Sequence, residues 1–228
     1  MKLHTALSLA MLVPNAASAT SGDVLETLHP TIRAVVGEFD KIPVDRRSEL
    51  KKLAFFLSTK EQAGETAQIT FIRTHNSRRS HMAQIWAQTA ASYYGITHVK
   101  TFSGGLEATA CNARTVRALR RAGFSIADST GGDNPIYLVQ YSEKDVPIRA
   151  FSKKYLAEGN PHENYAAVMT CDHADTNCPV VQGAALRIGL HYVDPKESDG
   201  TDHENATYDE RCRQIAREMF YLMSQVKG

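Results

Sequence analysis

The stretch Gln68-Ile-Thr-Phe-Ile-Arg-Thr-His-Asn-Ser-Arg-Arg-Ser-His81 constrains the fold more than any other part of the chain. Residues 69–72 are β-branched and aromatic, as a buried strand requires, and Met82, Ile85, Trp86 and Thr89 follow at helical spacing from Ser80 onward. A strand must therefore hand over to a helix through a short polar loop. Backbone N–H groups at a helix start lack intrahelical acceptors and carry the positive end of the helix dipole, so such a loop, with Arg78 and Arg79 in it, suits an oxyanion. On loop chemistry alone the same residues also read as a polar turn with two solvated arginines.

The strand and helix pattern then repeats. Gly95 ends the helix that starts at Ser80, residues 99–103 read as a second strand, Gly104-Gly105 as a turn, and residues 112–122 as a helix stopped by Gly123. This β-α-β-α order predicts a parallel sheet with right-handed crossovers, and a ligand site at the carboxyl ends of its strands. Further on, residues 137–141 and 148–151 read as a hairpin, 165–170 as a central strand and 186–192 as the last strand. Residues 205–226 form an amphipathic closing helix with Tyr208, Cys212, Ile215 and Met219 on one face. Ahead of the first strand, residues 24–57 read as two helices broken at Ile42-Pro43, with Lys41, Arg46, Arg47, Lys51 and Lys52 as a solvated face.

A chain of 228 residues, 43% apolar and 22% charged, is long enough for one substantial core. Its formal charge of +1 gives no global basic field, and no stretch interleaves aromatic with basic residues, so nucleic acid is not an expected partner. No apolar run reaches the roughly 18 residues that span a bilayer. Lys2, the apolar residues 6–13 and Ala17-Ser18-Ala19 form the pattern of an export signal over 1–19, cleaved before Thr20, which predicts a periplasmic or secreted protein; the alternative is a leader on a cytoplasmic one. The four cysteines, Cys111, Cys171, Cys178 and Cys212, are too few for a disulfide scaffold. Cys212 falls within the closing helix as a small buried hydrophobe, and Cys111 carries no assigned role.

Thr74-His75-Asn76-Ser77-Arg78-Arg79-Ser80 resembles the phosphate loop of the low-molecular-weight protein tyrosine phosphatase superfamily, whose pattern is Cys, five residues, Arg, then Ser or Thr. Arg79 and Ser80 fall on its last two places, but the nucleophilic cysteine's place is taken by Arg73. The resemblance covers roughly residues 68–226, with 129–164 as an insertion, and divides the chain into 1–19, a helical extension and linker over 20–67, and a domain over 68–228. It implies an α/β fold: an open parallel four-stranded sheet with helices on both faces, to which the N-terminal helices and a β-hairpin are added. The loop residues Thr74 to Ser80 would cradle a small oxyanion, phosphate or arsenate, or a phosphorylated substrate, with no cofactor and no metal. Asp194, followed by Pro195, matches the family's general acid, and a carboxyl group partly desolvated beside an oxyanion has the raised proton affinity that role needs. Without the family, Asp194-Pro195 is a turn-forming pair.

The run Val168-Met-Thr-Cys171-Asp-His-Ala-Asp-Thr-Asn-Cys178-Pro179 is similar to the redox pair of the thioredoxin-coupled arsenate reductases, which share this fold. The resemblance implies that Cys171 attacks the arsenylated nucleophile, that Cys178 resolves the disulfide, and that a thioredoxin-like protein is the reductant; Asp175, Asn177 and Pro179 are also in pattern. Thiol exchange needs an accessible, flexible pair, which the polar residues between the cysteines allow. On spacing alone, a structural disulfide in an exported protein, or a zinc site drawing on Asp172 or His173, competes with that reading. Arg73 sets the limit, because a guanidinium stays protonated and cannot attack, so covalent turnover by this mechanism is expected to be absent. The chain therefore reads as an arsenate-reducing or phosphomonoester-hydrolysing lineage damaged at its nucleophile, or as a noncatalytic oxyanion-binding or regulatory module.

Overall fold

The computed structural model describes residues 23–128, 130–178 and 180–227; the export signal read at 1–19 and Pro179 lie outside them. In chain order the elements are α1 (His29–Val36), α2 (Val44–Gln62), β1 (Ala67–Arg73), α3 (Arg79–Tyr93), β2 (Val99–Gly105), α4 (Ala113–Ala122), β3 (Ser125–Asp128), β4 (Tyr137–Gln140), β5 (Ile148–Ala150), β6 (Tyr165–Met169), α5 (Asp172–Asn177), β7 (Ala184–Gly189) and α6 (Glu204–Lys227).

Four strands form a parallel sheet of order β2-β1-β6-β7, so β1 is central and is covered on both faces. Burial on both faces explains why it reads as a continuous apolar run rather than an alternating one. Ile69 and Phe71 enter the main core with Trp86, Tyr208 and Phe220, while Ile72 enters a smaller cluster on the other face with Tyr165, Met169 and Ala174 of α5. Helices thus cover both faces of the sheet. The N-terminal helices share the main core through Leu28, Ile32, Leu50, Leu53 and Leu57. Among the described residues, no helix is long and apolar enough to cross a membrane.

Several expectations need correction. The hairpin at 137–151 is present as β4 and β5, but β3 pairs antiparallel with β4 and makes a three-stranded sheet. Its residues Ser125, Ala127 and Asp128 are exposed, so no apolar alternation marks it. The last strand ends at Gly189; residues 190–192 stay extended and bond to β6 and its exit, Leu190 N–H to Met169 O at 2.8 Å and Tyr192 N–H to Thr170 O at 3.2 Å. Gly104 and Gly105 are not a turn but the end of β2. A Cβ on Gly105 would lie 2.3 Å from Glu107 O, 2.8 Å from Thr74 O and 2.9 Å from Asn76 N, all backbone atoms, so glycine lets the polar loop lie directly on the strand. Arg46 does not belong to a solvated face, because its guanidinium bonds the buried Glu218 of α6 at 2.8 Å.

Candidate active site: a cradle with two arginines

Three strand exits converge at the carboxyl edge of the sheet: Arg73 ends β1, Cys171 follows β6, and Asp194 lies beyond β7. This is where an open parallel sheet places its ligand. The loop from Thr74 to Arg78 delivers the chain to α3 and is held by side chains beneath it. Asn76 adopts a left-handed φ of 44°, donates to Ser80 Oγ at 3.0 Å and accepts the Lys153 N–H at 3.0 Å. His75 O accepts from Ser152 Oγ at 2.8 Å and from Thr109 Oγ at 3.1 Å. Ser77 O accepts the Asn112 N–H at 2.9 Å. Asn76, Ser77 and Ser80 are therefore buried supports of the loop, while Thr74 and His75 line an open cleft of about 490 Å³. Arg78 turns away to Tyr208 OH, at 2.8 Å, and Asp199, at 3.3 Å, so the structure gives it a bracing role rather than a place at the cleft.

Arg73 and Arg79 are each 6% exposed and both donate to one carboxylate oxygen, Asp194 Oδ2, Arg79 at 2.9 Å. Arg79 also donates to Tyr192 O. Two guanidiniums thus share one carboxylate. Burial, then the charge of Arg79, push the Arg73 guanidinium below its ordinary pKa, against the pull of Asp194. Three buried N–H groups, Arg73 Nε, Arg73 Nη1 and Arg79 Nε, have no hydrogen-bond partner. A buried donor left unpaired costs about 1–3 kcal/mol, more for a charged group.

Cys171 reaches this cradle: its Sγ lies 3.8 Å from Thr74 Oγ and caps α5 by accepting the Ala174 N–H at 3.4 Å. Cys178 sits at the other end of that helix, with its Sγ donating to Val180 O at 3.3 Å. Both thiols are free and buried, with a formed helix between them, so in this structure the pair is neither bridged nor exposed. Asp172 and His173 face different partners, His191 at 2.5 Å and Thr74 Oγ at 3.0 Å, and among the described residues no group of His, Cys, Asp and Glu is arranged to hold a metal. Asp175 bonds His191 at 2.8 Å and Arg187 at 2.5 Å, which pins α5 against β7.

His173 and Lys196 also line the cleft; sequence reasoning offered His173 only as a zinc ligand and gave Lys196 no role. The signal for Lys196 was its place two residues after Asp194; for His173 there was none, since α5 is a six-residue polar helix without periodicity.

No protein-family model matches the chain. It is 27% identical over 145 residues to an arsenate reductase of Halalkalibacterium halodurans, covering 64% of this chain and 86% of the relative. An arsenate reductase of Bacillus subtilis is 27% identical over 150 residues, 65% of this chain and 88% of that one. The solution structure of a low-molecular-weight protein tyrosine phosphatase from Bacillus subtilis aligns with 70% of this chain and 97% of its own at 16% identity and a TM-score of 0.46. The chain thus joins a parallel sheet of order β2-β1-β6-β7, with a polar loop at the exit of its central strand, to a sequence similar to the arsenate reductases over 64–65% of its length.

Proposed function

We propose that the loop at residues 73–80 binds a tetrahedral oxyanion, arsenate, phosphate or the phosphoryl group of an ester, and does not turn it over covalently. The observation that carries this reading is the set of three unpartnered, buried guanidinium N–H groups beside a shared Asp194. A tetrahedral anion offers acceptors on several oxygens at once and would supply the missing partners by charge-assisted bonds. One carboxylate against two guanidiniums leaves a net positive cradle, which favours an incoming anion. Covalent catalysis would need a lone-pair nucleophile at the exit of β1, and Arg73 offers none. Asp194, matched to the family's acid, has one oxygen taken up by both arginines.

A second reading, arsenate reduction, is favoured by Cys171 at the wall of the cleft and by the arsenate reductase relatives. In that chemistry two electrons come from the Cys171 and Cys178 thiols, which become a disulfide, and a thioredoxin-like dithiol restores them. It requires α5 to unwind and another nucleophile to replace the one missing at 73. Export is proposed on the sequence Ala17-Ser18-Ala19, and N-terminal sequencing of the recovered protein should then begin at Thr20.

Isothermal titration with arsenate, phosphate and sulfate tests the first reading. One saturable site is expected, weakened about tenfold or more in Arg79→Met. No saturable binding by any of the three would sink it.

A further inference from the structure

β2 is an edge strand, and an open edge invites another strand to pair with it. Here side chains occupy that edge. Gln88 Oε1 accepts the Thr101 N–H at 3.1 Å, Gln84 Nε2 donates to Thr101 O at 3.1 Å, and Asn160 Nδ2 donates to Ser103 O at 3.0 Å. Strand addition is therefore blocked. Between this edge and the β4–β5 hairpin lies a cleft of about 860 Å³, a volume in the range of small-molecule sites.

Phe102, Tyr141 and Phe151 give the cleft aromatic walls; Lys100 and Arg149 line it together with the carboxylates Asp145 and Glu158, and Lys153 is a further cation. Among the described residues the Lys153 ammonium has no hydrogen bond and no ion pair; it lies 4.6 Å over the Phe151 ring. Burial pushes it down to about 8. The neighbouring Cys111 thiol, pushed up by burial to about 12, is neutral at pH 7 and supplies no counter-charge. A half-buried cation with no protein anion beside it is the feature of this cleft that an anionic ligand would complement most directly. Gln84 and Asn160 are 6% and 8% exposed, and each leaves its amide oxygen without a partner while its NH₂ is fixed on the strand edge. The Lys153 ammonium thus lacks an anion partner, and the two amide oxygens lack donors.

We infer that this cleft is a second ligand site, separate from the arginine cradle, which takes a small aromatic acid: the carboxylate pairs with Lys153, the ring lies among Phe102, Tyr141 and Phe151, and a hydroxyl meets the amide oxygens. The two sites stand back to back, since the Lys153 backbone N–H bonds Asn76 and its carbonyl accepts the Gly105 N–H at 2.8 Å.

The test is calorimetric titration of the full chain with para-hydroxyphenylacetate and phenylacetate. Saturable binding is expected, tighter for the hydroxylated acid, and weakened about tenfold or more in Lys153→Met. The uncharged para-hydroxyphenylacetamide should bind the unaltered chain about tenfold less tightly and should not distinguish Lys153→Met. Saturating phosphate should leave the acid's affinity unchanged. A readout on the unaltered chain keeps the test independent of the variant's folding: acetic anhydride labelling near pH 8, followed by mass spectrometry, should slow several-fold at Lys153 when the hydroxylated acid is present and stay constant at Lys60. Failure of both acids to bind, equal binding by Lys153→Met, displacement by phosphate, or labelling of Lys153 that the acid does not slow would each overturn the inference.

Discussion

Arg46 and Arg73 are both withdrawn from solvent, and the structure treats them in opposite ways. Arg46 on α2 donates to Glu218 at 2.8 Å and to His191 O at 3.0 Å, and it stacks 4.6 Å over the Tyr192 ring. Tyr192 OH completes the arrangement by donating to the same Glu218 oxygen at 2.8 Å. Burial opposes the Arg46 charge, yet Tyr192 and Glu218 outweigh it and its pKa is raised. Arg73 shares one carboxylate with Arg79, keeps two N–H groups unpartnered, and its pKa is lowered. The first arginine is a finished structural bond. The second is an unfinished one, and that difference supports the oxyanion-binding role proposed for it.

A third buried base sharpens the contrast. The His81 ring is 0% exposed, with Nε2 at 3.1 Å from Phe151 O, and burial, then the charge of Lys153, push it down to about 4. It is buried by giving up its charge. Of these three bases, Arg46 is compensated, His81 neutralised and Arg73 left short.

Four outcomes would break or sharpen this contrast. Glu218→Ala should cost about 3–5 kcal/mol, because it strands a buried guanidinium, and should lower the melting temperature by roughly 6–20 °C. Acid titration should expose His81 next. Its folded pKa of about 4 lies below the ordinary 6.5, so the unfolded chain takes the proton first as pH falls. The contribution is complete above about pH 6.5 and is lost toward pH 4, about 1.4 kcal/mol per unit and about 3 kcal/mol in all. Urea unfolding at the two ends of that window should show the loss, and His81→Gln should flatten it. At the cradle, Asp194→Asn should tighten arsenate or phosphate by about tenfold in calorimetry, because the incoming anion no longer competes with a resident carboxylate. Smallest of all, Arg73→Met should change stability by less than about 1 kcal/mol, since the lost ion pair is offset by relief of a desolvated charge. An Arg73→Met loss as large as that of Glu218→Ala would mean that the two arginines are equivalent after all.

The parts legible in the sequence were those whose burial leaves an apolar pattern. β1 and β6 are continuous apolar runs and α3 and α6 carry apolar residues at helical spacing, and the family pattern of the loop pointed to the exit of β1 as the candidate site. β3 was not legible because its side chains are largely exposed. Nor was α5, five polar residues around the buried Ala174, which is defined by the Cys171 cap and by tethers to Arg187 of β7 and to His191 just beyond it. The pairing of Arg73 with Asp194 joins residues 121 positions apart, and no local rule reaches that far. Arg46 shows the same limit, since helix spacing put it on a charged face and only the packing of α2 on α6 reveals its carboxylate.

Turnover of an aryl phosphate by the unaltered chain and by Arg73→Cys, assayed side by side, tests the central claim most directly. A thiol at 73 would stand beside Arg79 and the start of α3, where a cysteine pKa drops by one to several units, enough to supply a thiolate at neutral pH. The account predicts no turnover by the unaltered chain and release of the aryl alcohol by Arg73→Cys. Steady hydrolysis by the unaltered chain would contradict it; a folded Arg73→Cys that binds phosphate and yet releases nothing would keep the binding role and place the loss of turnover beyond residue 73.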